Sequence, residues 1–205
     1  NILTQKLNIS IHVGDVFAHP IIKDLSDYIS TLSKNSGKAT IRKIEEKAFY
    51  PASSAQRRIY YASSVDNDSV LYNIAGGIIV DKTLDVNLLK QCFQTLIDRH
   101  EVLRTHFAIV NNDIVQIIDP KVDFTLSSDS KVLNDLDKVY TDFVKPFDLS
   151  KAPLFRAKVV NLEDNKMLLL LDMHHIISDG TSLSILLQEL CDLYNGIALP
   201  EKQVD

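Results

Sequence analysis

The chain has 205 residues, a formal net charge of −5 and 45% hydrophobic residues, a composition typical of a globular protein. The acidic balance and the scattered Lys and Arg exclude the basic face of nucleic-acid-binding proteins, and the longest apolar run is too short to span a membrane. The two cysteines, Cys92 and Cys191, have no paired spacing, so we expect two reduced, buried thiols in a cytoplasmic protein.

The N-terminal segment predicts a helix with one apolar face. Because the chain begins with Asn inside a helix-like pattern, we expect a fragment of a longer protein. Pro20 suits a first helical turn, since it has no N–H to leave unpaired there. The apolar residues that follow at helical spacing are Ile21, Leu25, Tyr28, Ile29 and Leu32. We expect this face to pack on another polypeptide segment rather than on residues 49–205, because residues 33–48 are polar and predict a linker. A charged helix at "IRKIEEK" is the alternative for that stretch.

From Phe49 onward the pattern alternates between helices and strands. "PASSAQRRIYYASS" predicts a short helix, and "LYNIAGGIIV" predicts a strand with a bulge or a close backbone contact at Gly76-Gly77. "DVNLLKQCFQTLIDRH" predicts an amphipathic helix. Its apolar positions are Leu88, Leu89, Phe93, Leu96 and Ile97. "EVLRTHFAIV" and "DIVQIID" predict a hairpin that turns at Asn111-Asn112.

The second half of the chain continues in the same way. "KVLNDLDKVYTDFVKPF" predicts a helix ended by Pro146, and "PLFRAKVVNLEDNKMLLLLDMHH" predicts a hairpin that turns at residues 163–165. "TSLSILLQELCDLYNG" predicts a helix capped by Thr181 or Ser182 and stopped at Gly196. The mixture of hairpins and helices predicts an α/β fold, an α+β sandwich in which a mixed, largely antiparallel sheet is covered by helices.

A polar loop follows the most apolar strand of the chain. Residues 168–171 are all leucine, which predicts a strand buried on both faces, and "DMHHIISDG" comes directly after them. Each polar group brought there costs about 1–3 kcal/mol if it finds no partner, so we expect the loop to be a site. Alternation along a strand predicts that His174 and His175 point to opposite faces, and we expect His175 to face a cleft and His174 to face the other way.

Two simpler explanations compete for this loop. For a bare pair of adjacent histidines, two hydrogen-bonded core residues are the more common arrangement. A metal site is disfavoured, because apart from Asp172 and Asp179 no further ligands lie at metal spacing. Gly180 admits backbone conformations closed to other residues and offers an N–H beside a helix N-terminus. The complete string, HHxxxDG between a buried strand and a helix, is more specific than any of its parts.

The string "MHHIISDGTS" resembles the active-site motif of nonribosomal peptide synthetase condensation domains. "SSAQRRIYY" and "RHEVLRTHF" resemble the first and second motifs of that family, in the same order. The resemblance covers residues 49–205, about the N-terminal lobe of such a domain, and it implies a fold similar to chloramphenicol acetyltransferase. The C-terminal lobe would then be a missing partner. Residues 1–32, notably "VGDVFAHPIIKDLSDYI", resemble the C-terminal helices of a peptidyl carrier protein.

The resemblance also implies a role for each residue of the loop. His175 matches the catalytic histidine, and His174 and Gly180 match supporting positions. Asp179 matches a structural aspartate that pairs with an arginine, for which Arg104 is the candidate. The implied reaction joins an aminoacyl amine to an acyl thioester, both delivered by donor and acceptor carrier domains. Phosphopantetheine would be bound to those carriers, its attachment serine lies outside this chain, and no directly bound cofactor or metal is expected.

Other functions remain open within and beyond this resemblance. Epimerisation domains and some free-standing acyltransferases share HHxxxDG, whereas the first two motifs favour condensation. Heterocyclisation is disfavoured, because that class replaces the histidines with paired aspartates. A silent lobe that only recruits carrier or tailoring proteins is the alternative from another class. We expect Ser54, Arg57 and Arg58 to be packing and surface residues and residues 147–149 to lock a turn, and we leave open whether Tyr60 and Tyr61 line a channel.

Overall fold

A computed structural model describes residues 13–32, 44–66, 68–81, 84–132 and 135–201, together with the single positions 9 and 11. The chain divides into two compact units, which consist of residues 1–45 and 46–203. Each unit is described by itself below.

The first unit contains two helices, α1 (Val13–Ala18) and α2 (Ile22–Thr31). Pro20 precedes the extended cap residue Ile21, so it lies just before the helix and not in its first turn. The helix has no buried residue, and Ile22 is 86% exposed. Our expectation that this apolar face packs on another segment therefore stays a prediction. Most of the predicted linker, residues 33–43, lies outside the described residues, and residues 44–47 are not helical.

The second unit is built on two small sheets, where we had expected one. The three-stranded sheet has the order β1-β4-β3 and the four-stranded sheet has the order β2-β7-β6-β5. All described pairs are antiparallel except β5 with β6, which is parallel. The strands are β1 (Tyr50–Pro51), β2 (Asn73–Val80), β3 (Thr105–Val110), β4 (Asp113–Ile118), β5 (Ser127–Val132), β6 (Phe155–Asn161) and β7 (Met167–His174).

The helices of this unit begin at polar caps that the sequence supplies. The caps are Ser53, Asp85, Asp135 and Asp179, and each accepts a backbone N–H with its side chain. The helices are α3 (Ser54–Val65), α4 (Val86–Arg99), α5 (Leu136–Phe143) and α6 (Gly180–Tyr194), with a 3₁₀ turn at Glu101–Arg104. None of the described helices is both long and apolar enough to cross a lipid bilayer.

The core forms where α4 packs with the β6–β7 hairpin. Phe93 of α4 contacts Phe124 and Phe155, with ring centroids 5.3 and 5.5 Å apart. Leu88, which we placed on the apolar face of α4, is instead partly exposed. Cys92 is buried as expected, whereas Cys191 is exposed, so that prediction is half wrong.

Two local predictions fail for identifiable reasons. Lys131 and Val132 belong to β5 and not to a helix, because α5 begins only at the cap Asp135, whose side chain accepts the N–H of Lys138. The cap of α6 is Asp179, not Thr181 or Ser182.

The turns match the sequence closely. Asn111 and Asn112 both have positive φ, as a tight hairpin turn of this kind requires, and so do Asp164 and Asn165. These two turns set the register of both hairpins. In the second hairpin Arg156 lies directly opposite Asp172, and Phe155 lies opposite Met173.

Candidate active site

The candidate site forms where β7 leaves the four-stranded sheet. β7 lies between β2 and β6 and is buried at every position. Its last residue is His174, and its backbone N–H donates to the carbonyl of Leu154. The polar groups that follow therefore start from a fixed point in the sheet.

The ring of His175 is held in one tautomer. Its Nδ1 lies 2.6 Å from the carbonyl oxygen of Ser178, and its backbone N–H donates to Tyr72 at 2.7 Å. Because a carbonyl only accepts, Nδ1 carries the proton. The lone pair of the neutral ring then resides on Nε2, for which no described residue provides a hydrogen bond. Since His175 is exposed, this nitrogen is accessible to a substrate.

His174 has the opposite character. It is 4% exposed, and its Nδ1 accepts the N–H of Ile176 at 3.2 Å. The pKa of His174 is lowered to about 4, mainly by burial and to a smaller extent by the nearby His175. The ring is therefore neutral near pH 7. Its carbonyl accepts the Ser178 hydroxyl at 3.1 Å. His174 thus fixes the loop that presents His175. The two rings differ in exposure because His174 is the last residue of the buried strand and His175 lies beyond it.

Asp179 does not pair with Arg104, so the predicted ion pair is wrong. The Asp179 carboxylate caps α6 by accepting the backbone N–H and the hydroxyl of Ser182, both at 2.7 Å. These hydrogen bonds lower the pKa of Asp179, and the one from the Ser182 backbone N–H contributes most. Arg104 instead donates to the carbonyls of Ile97 and Asp119 and ties the 3₁₀ turn to the end of β4.

Gly180 is the first residue of α6, and its φ lies outside the left-handed region. The turn therefore does not require a glycine here. A methyl group built on Gly180 would meet no atom within 4 Å. The glycine leaves open space at the N-terminus of α6, in the same loop as His175.

Asp172, for which the sequence suggested only a disfavoured metal site, is fully buried. Its Oδ2 accepts from the side chain of Asn73 at 2.9 Å and lies 3.4 Å from Nε of Arg156. Its Oδ1 has no partner among the described residues. Burial raises the pKa of Asp172 to about 6, although Arg156 and Asn73 act in the other direction.

The two partners of Asp172, Arg156 and Asn73, hold the loop of residues 145–147. Arg156 donates to the carbonyls of Lys145 and Pro146 at 2.8 and 3.2 Å, and Asn73 donates to that of Lys145 at 2.9 Å. The guanidinium carbon of Arg156 lies 3.7 Å above the ring of Phe147. The sequence contained a signal for this network. Arg156 and Asp172 are equidistant from Asp164 in the predicted turn, so the hairpin places them opposite each other, and a buried carboxylate needs a cation.

A cavity of about 500 Å³ lies beside His174. Its lining includes His174 and Phe147 but not His175, whereas we had expected His175 to be the histidine that faces a cleft. The lining also contains Tyr60 and Ser63 of α3. Residues 147–149 behave as the turn lock that we expected, since Asp148 accepts the N–H and the hydroxyl of Ser150. Because Tyr60 belongs to the cavity lining, it faces the cavity, whereas Tyr61 is exposed.

Gln56 links the first sequence motif, "SSAQRRIYY", to the loop of residues 175–179, called the histidine loop below. Its Oε1 accepts the N–H of Ser53, and its Nε2 donates to the carbonyl of Ile176 at 3.4 Å. Ser54, Arg57 and Arg58 are exposed, as a surface role predicts. Over the residues described, no group of three or more His, Cys, Asp or Glu is arranged to bind a metal ion.

Comparison with known proteins gives a consistent result. The family model described as Condensation domain matches residues 46–205. Bacitracin synthase 3 of Bacillus licheniformis is 40% identical over 194 residues, which cover 95% of this chain and 3% of that protein. Tyrocidine synthase 2 of Brevibacillus parabrevis is 38% identical over 200 residues, which cover 98% of this chain and 6% of that protein. The chain thus spans a small part of the length of these relatives.

Solved structures show the same fold. The starter condensation domain of rhizomide synthetase RzmA superimposes with a TM-score of 0.67 and 20% identity, over 76% of this chain and 40% of that chain. The first condensation domain of the CDA synthetase gives a TM-score of 0.66 with 19% identity, over 75% of this chain and 41% of that chain. These matches confirm the predicted α/β fold, with mixed and antiparallel sheets covered by helices.

Proposed function

Because this chain belongs to the condensation-domain family of the peptide synthetases, we propose that it takes part in forming peptide bonds. In this proposal the amine of a carrier-bound aminoacyl group attacks an acyl or peptidyl thioester on an upstream carrier. The observation that carries the proposal is the His175 ring, whose Nδ1–H is held by the Ser178 carbonyl. That hydrogen bond leaves Nε2 as an accessible base at the exit of a rigid strand.

The proposed chemistry uses few groups. Attack of the amine forms a C–N bond and a tetrahedral intermediate with a protonated nitrogen and an oxyanion. Nε2 of His175 accepts the proton from nitrogen or orients the amine by a hydrogen bond. Collapse of the intermediate breaks the C–S bond, and the proton leaves with the thiol. Backbone N–H groups near Gly180, in the first turn of α6, favour the oxyanion.

Both substrates arrive attached to other domains in this proposal. Donor and acceptor carrier domains supply the phosphopantetheine thioesters, so the lobe itself needs no bound cofactor. Holding the two reactants together converts the reaction into an effectively unimolecular one, and this supplies much of the rate. Residues 49–205 are the proposed N-terminal lobe, residues 33–48 the linker, and residues 1–32 the C-terminal helices of a carrier domain.

The test is a synthetase that contains this chain, assayed with loaded carriers by mass spectrometry of the product. His175→Ala is expected to slow amide formation by about 10²–10⁴-fold, the usual contribution of a general acid or base. His106→Gln, which changes a histidine on the other sheet that is paired with Asp119, is the matched control. Wild-type turnover in the His175 variant contradicts the proposal, and so does a product with inverted stereochemistry and no new amide.

A further inference from the structure

We infer that Asp172 is a positioning residue for His175, and that it acts through Arg156, Phe147 and His174. The inference deepens the proposed function and rests on it. Asp172 does not touch the reacting atoms in this scheme. It sets the geometry of the side chains that hold the histidine loop.

Side chains from three strands converge near one loop. Asn73 of β2, Asp172 of β7 and Arg156 of β6 come from adjacent strands of one sheet. Two of them donate to the backbone carbonyls of loop 145–147, at distances from 2.8 to 3.2 Å. The Asp172 carboxylate accepts from Asn73 and pairs with Arg156, so it orients both donors at once.

Phe147 connects this loop with His174. Phe147 contacts both Arg156 and His174, and the Arg156 guanidinium lies 3.7 Å from the centre of its ring. The His174 ring meets Phe147 edge-on at a centroid distance of 6.1 Å. A movement of Arg156 therefore displaces Phe147 and removes one of the aromatic contacts that fix the His174 ring. Among the described residues, the other such contact is with the Tyr72 ring, at a centroid distance of 6.2 Å.

Hydrogen bonds connect His174 with the reactive nitrogen of His175. His174 accepts the Ile176 N–H with its ring and the Ser178 hydroxyl with its carbonyl. Ser178 in turn holds Nδ1 of His175 through its own carbonyl, at 2.6 Å. A rotation of the His174 ring thus changes the turn that selects the tautomer of His175.

A purely stabilising role explains Asp172 poorly. One carboxylate oxygen is buried without a partner among the described residues, which costs stability. Replacing a buried ion pair with apolar residues of similar volume is often neutral or stabilising. Unlike an apolar side chain, the Asp172 carboxylate orients two hydrogen-bond donors, Asn73 and Arg156, toward loop 145–147.

The experiment compares Asp172→Asn and Asp172→Leu with Asp129→Asn. The control removes the Asp129–Lys158 ion pair, which lies on the same sheet but does not contact loop 145–147. Nitrogen-15 spectra of the imidazole rings in the full chain report the tautomers directly. We expect Asp172→Leu to shift His174 and to turn the single Nδ1–H form of His175 into a mixture, while Asp129→Asn leaves both rings unchanged. Asp172→Asn, which keeps the shape and loses the charge, is expected to give a smaller change of the same kind.

In a synthetase that contains this chain, the Asp172→Leu variant is expected to lose about 10–100-fold in kcat, the effect of a misplaced group, with KM for the loaded carriers nearly unchanged. Phe147→Leu removes the ring that connects Arg156 with His174. It is expected to produce the same changes in the nitrogen spectra of His174 and His175, which gives an answer even if Asp172→Leu does not fold. An unaltered His175 tautomer in folded Asp172 and Phe147 variants overturns the inference. Full condensation by His175→Ala overturns the proposed function instead, whatever the ring spectra show.

Discussion

Asp172 and His174 lie on the same face of β7, separated by Met173, and burial displaces their pKa values to about 6 and about 4. These displacements act on stability in opposite directions. The folded chain binds a proton at Asp172 more readily than the unfolded chain does, so this residue makes stability fall as pH rises from 3.8 to about 6. His174 binds its proton more readily in the unfolded chain, so it makes stability fall as pH drops from 6.5 to about 4.

The two contributions nearly cancel, and single variants are expected to reveal them. Asp172→Asn removes the first term, so acidification from pH 6.5 to 4 is expected to cost about 3 kcal/mol more than in the wild type. His174→Asn, which keeps an acceptor near the Nδ1 position, is expected to shift the slope in the other direction by a similar amount. Urea unfolding at a series of pH values measures both. Parallel pH profiles for the wild type and the two variants would rule out the opposed pair.

The cap at Asp179 leads to a second prediction. Asp179→Ala is expected to lower the free energy of unfolding by about 1 kcal/mol, the usual cost of losing a helix cap, and Asp179→Asn by only a few tenths. Breaking a buried ion pair typically costs about 3–5 kcal/mol. A double-mutant cycle with Arg104→Met is expected to show coupling near zero, because the Arg104 guanidinium donates to backbone carbonyls. A large coupling energy would restore the pairing that the resemblance implied.

The sequence predicted those turns and strands whose structure depends on residues close together in the chain. The Asn111-Asn112 and Asp164-Asn165 turns were readable because asparagine and aspartate tolerate positive φ, and the β7 strand was readable from its unbroken leucines. β5 was missed because it is polar, carries no apolar alternation, and depends on a parallel partner, β6, that is distant in sequence. The Asp179 cap was missed because a family pairing took precedence over a plain rule, namely that aspartate before a helix is a preferred cap.

The candidate site was predictable to a similar degree. The end of the buried strand at the histidine pair was readable from the sequence, but the cavity beside His174 rather than His175 was not. The network around Asp172 does not follow from any single motif, since it joins Asn73 and loop 145–147 through backbone carbonyls. Only the hairpin register, which places Arg156 opposite Asp172, was accessible from the sequence.

Gly76 and Gly77 provide a matched pair for testing why β2 contains glycine. A methyl group on Gly77 would lie 2.9 Å from Leu168 Cδ1 and 3.0 Å from Leu170 Cδ2, whereas on Gly76 it would meet no atom within 4 Å. We therefore expect Gly77→Ala to lower the free energy of unfolding by about 1 kcal/mol, because the two leucine ends must shift in a packed core. Gly76→Ala is expected to be neutral or stabilising. Equal effects of the two variants, measured by thermal unfolding, would contradict the close contact at Gly77.

Gly180 can be tested for a structural and for a functional reason to be glycine. The residue has a φ outside the left-handed region and open space where a side chain would extend, so neither backbone strain nor packing within the described chain requires glycine. Gly180→Ala is accordingly expected to leave the free energy of unfolding unchanged or to raise it by about 0.4–1 kcal/mol, because alanine restricts the unfolded chain. If the open space receives the thioester carbonyl, the same variant slows amide formation in a synthetase that contains this chain, while Gly76→Ala on β2 does not. A stable Gly180 variant with full activity would show that the space is not used by the substrate, and a destabilised one would show that the glycine is structural.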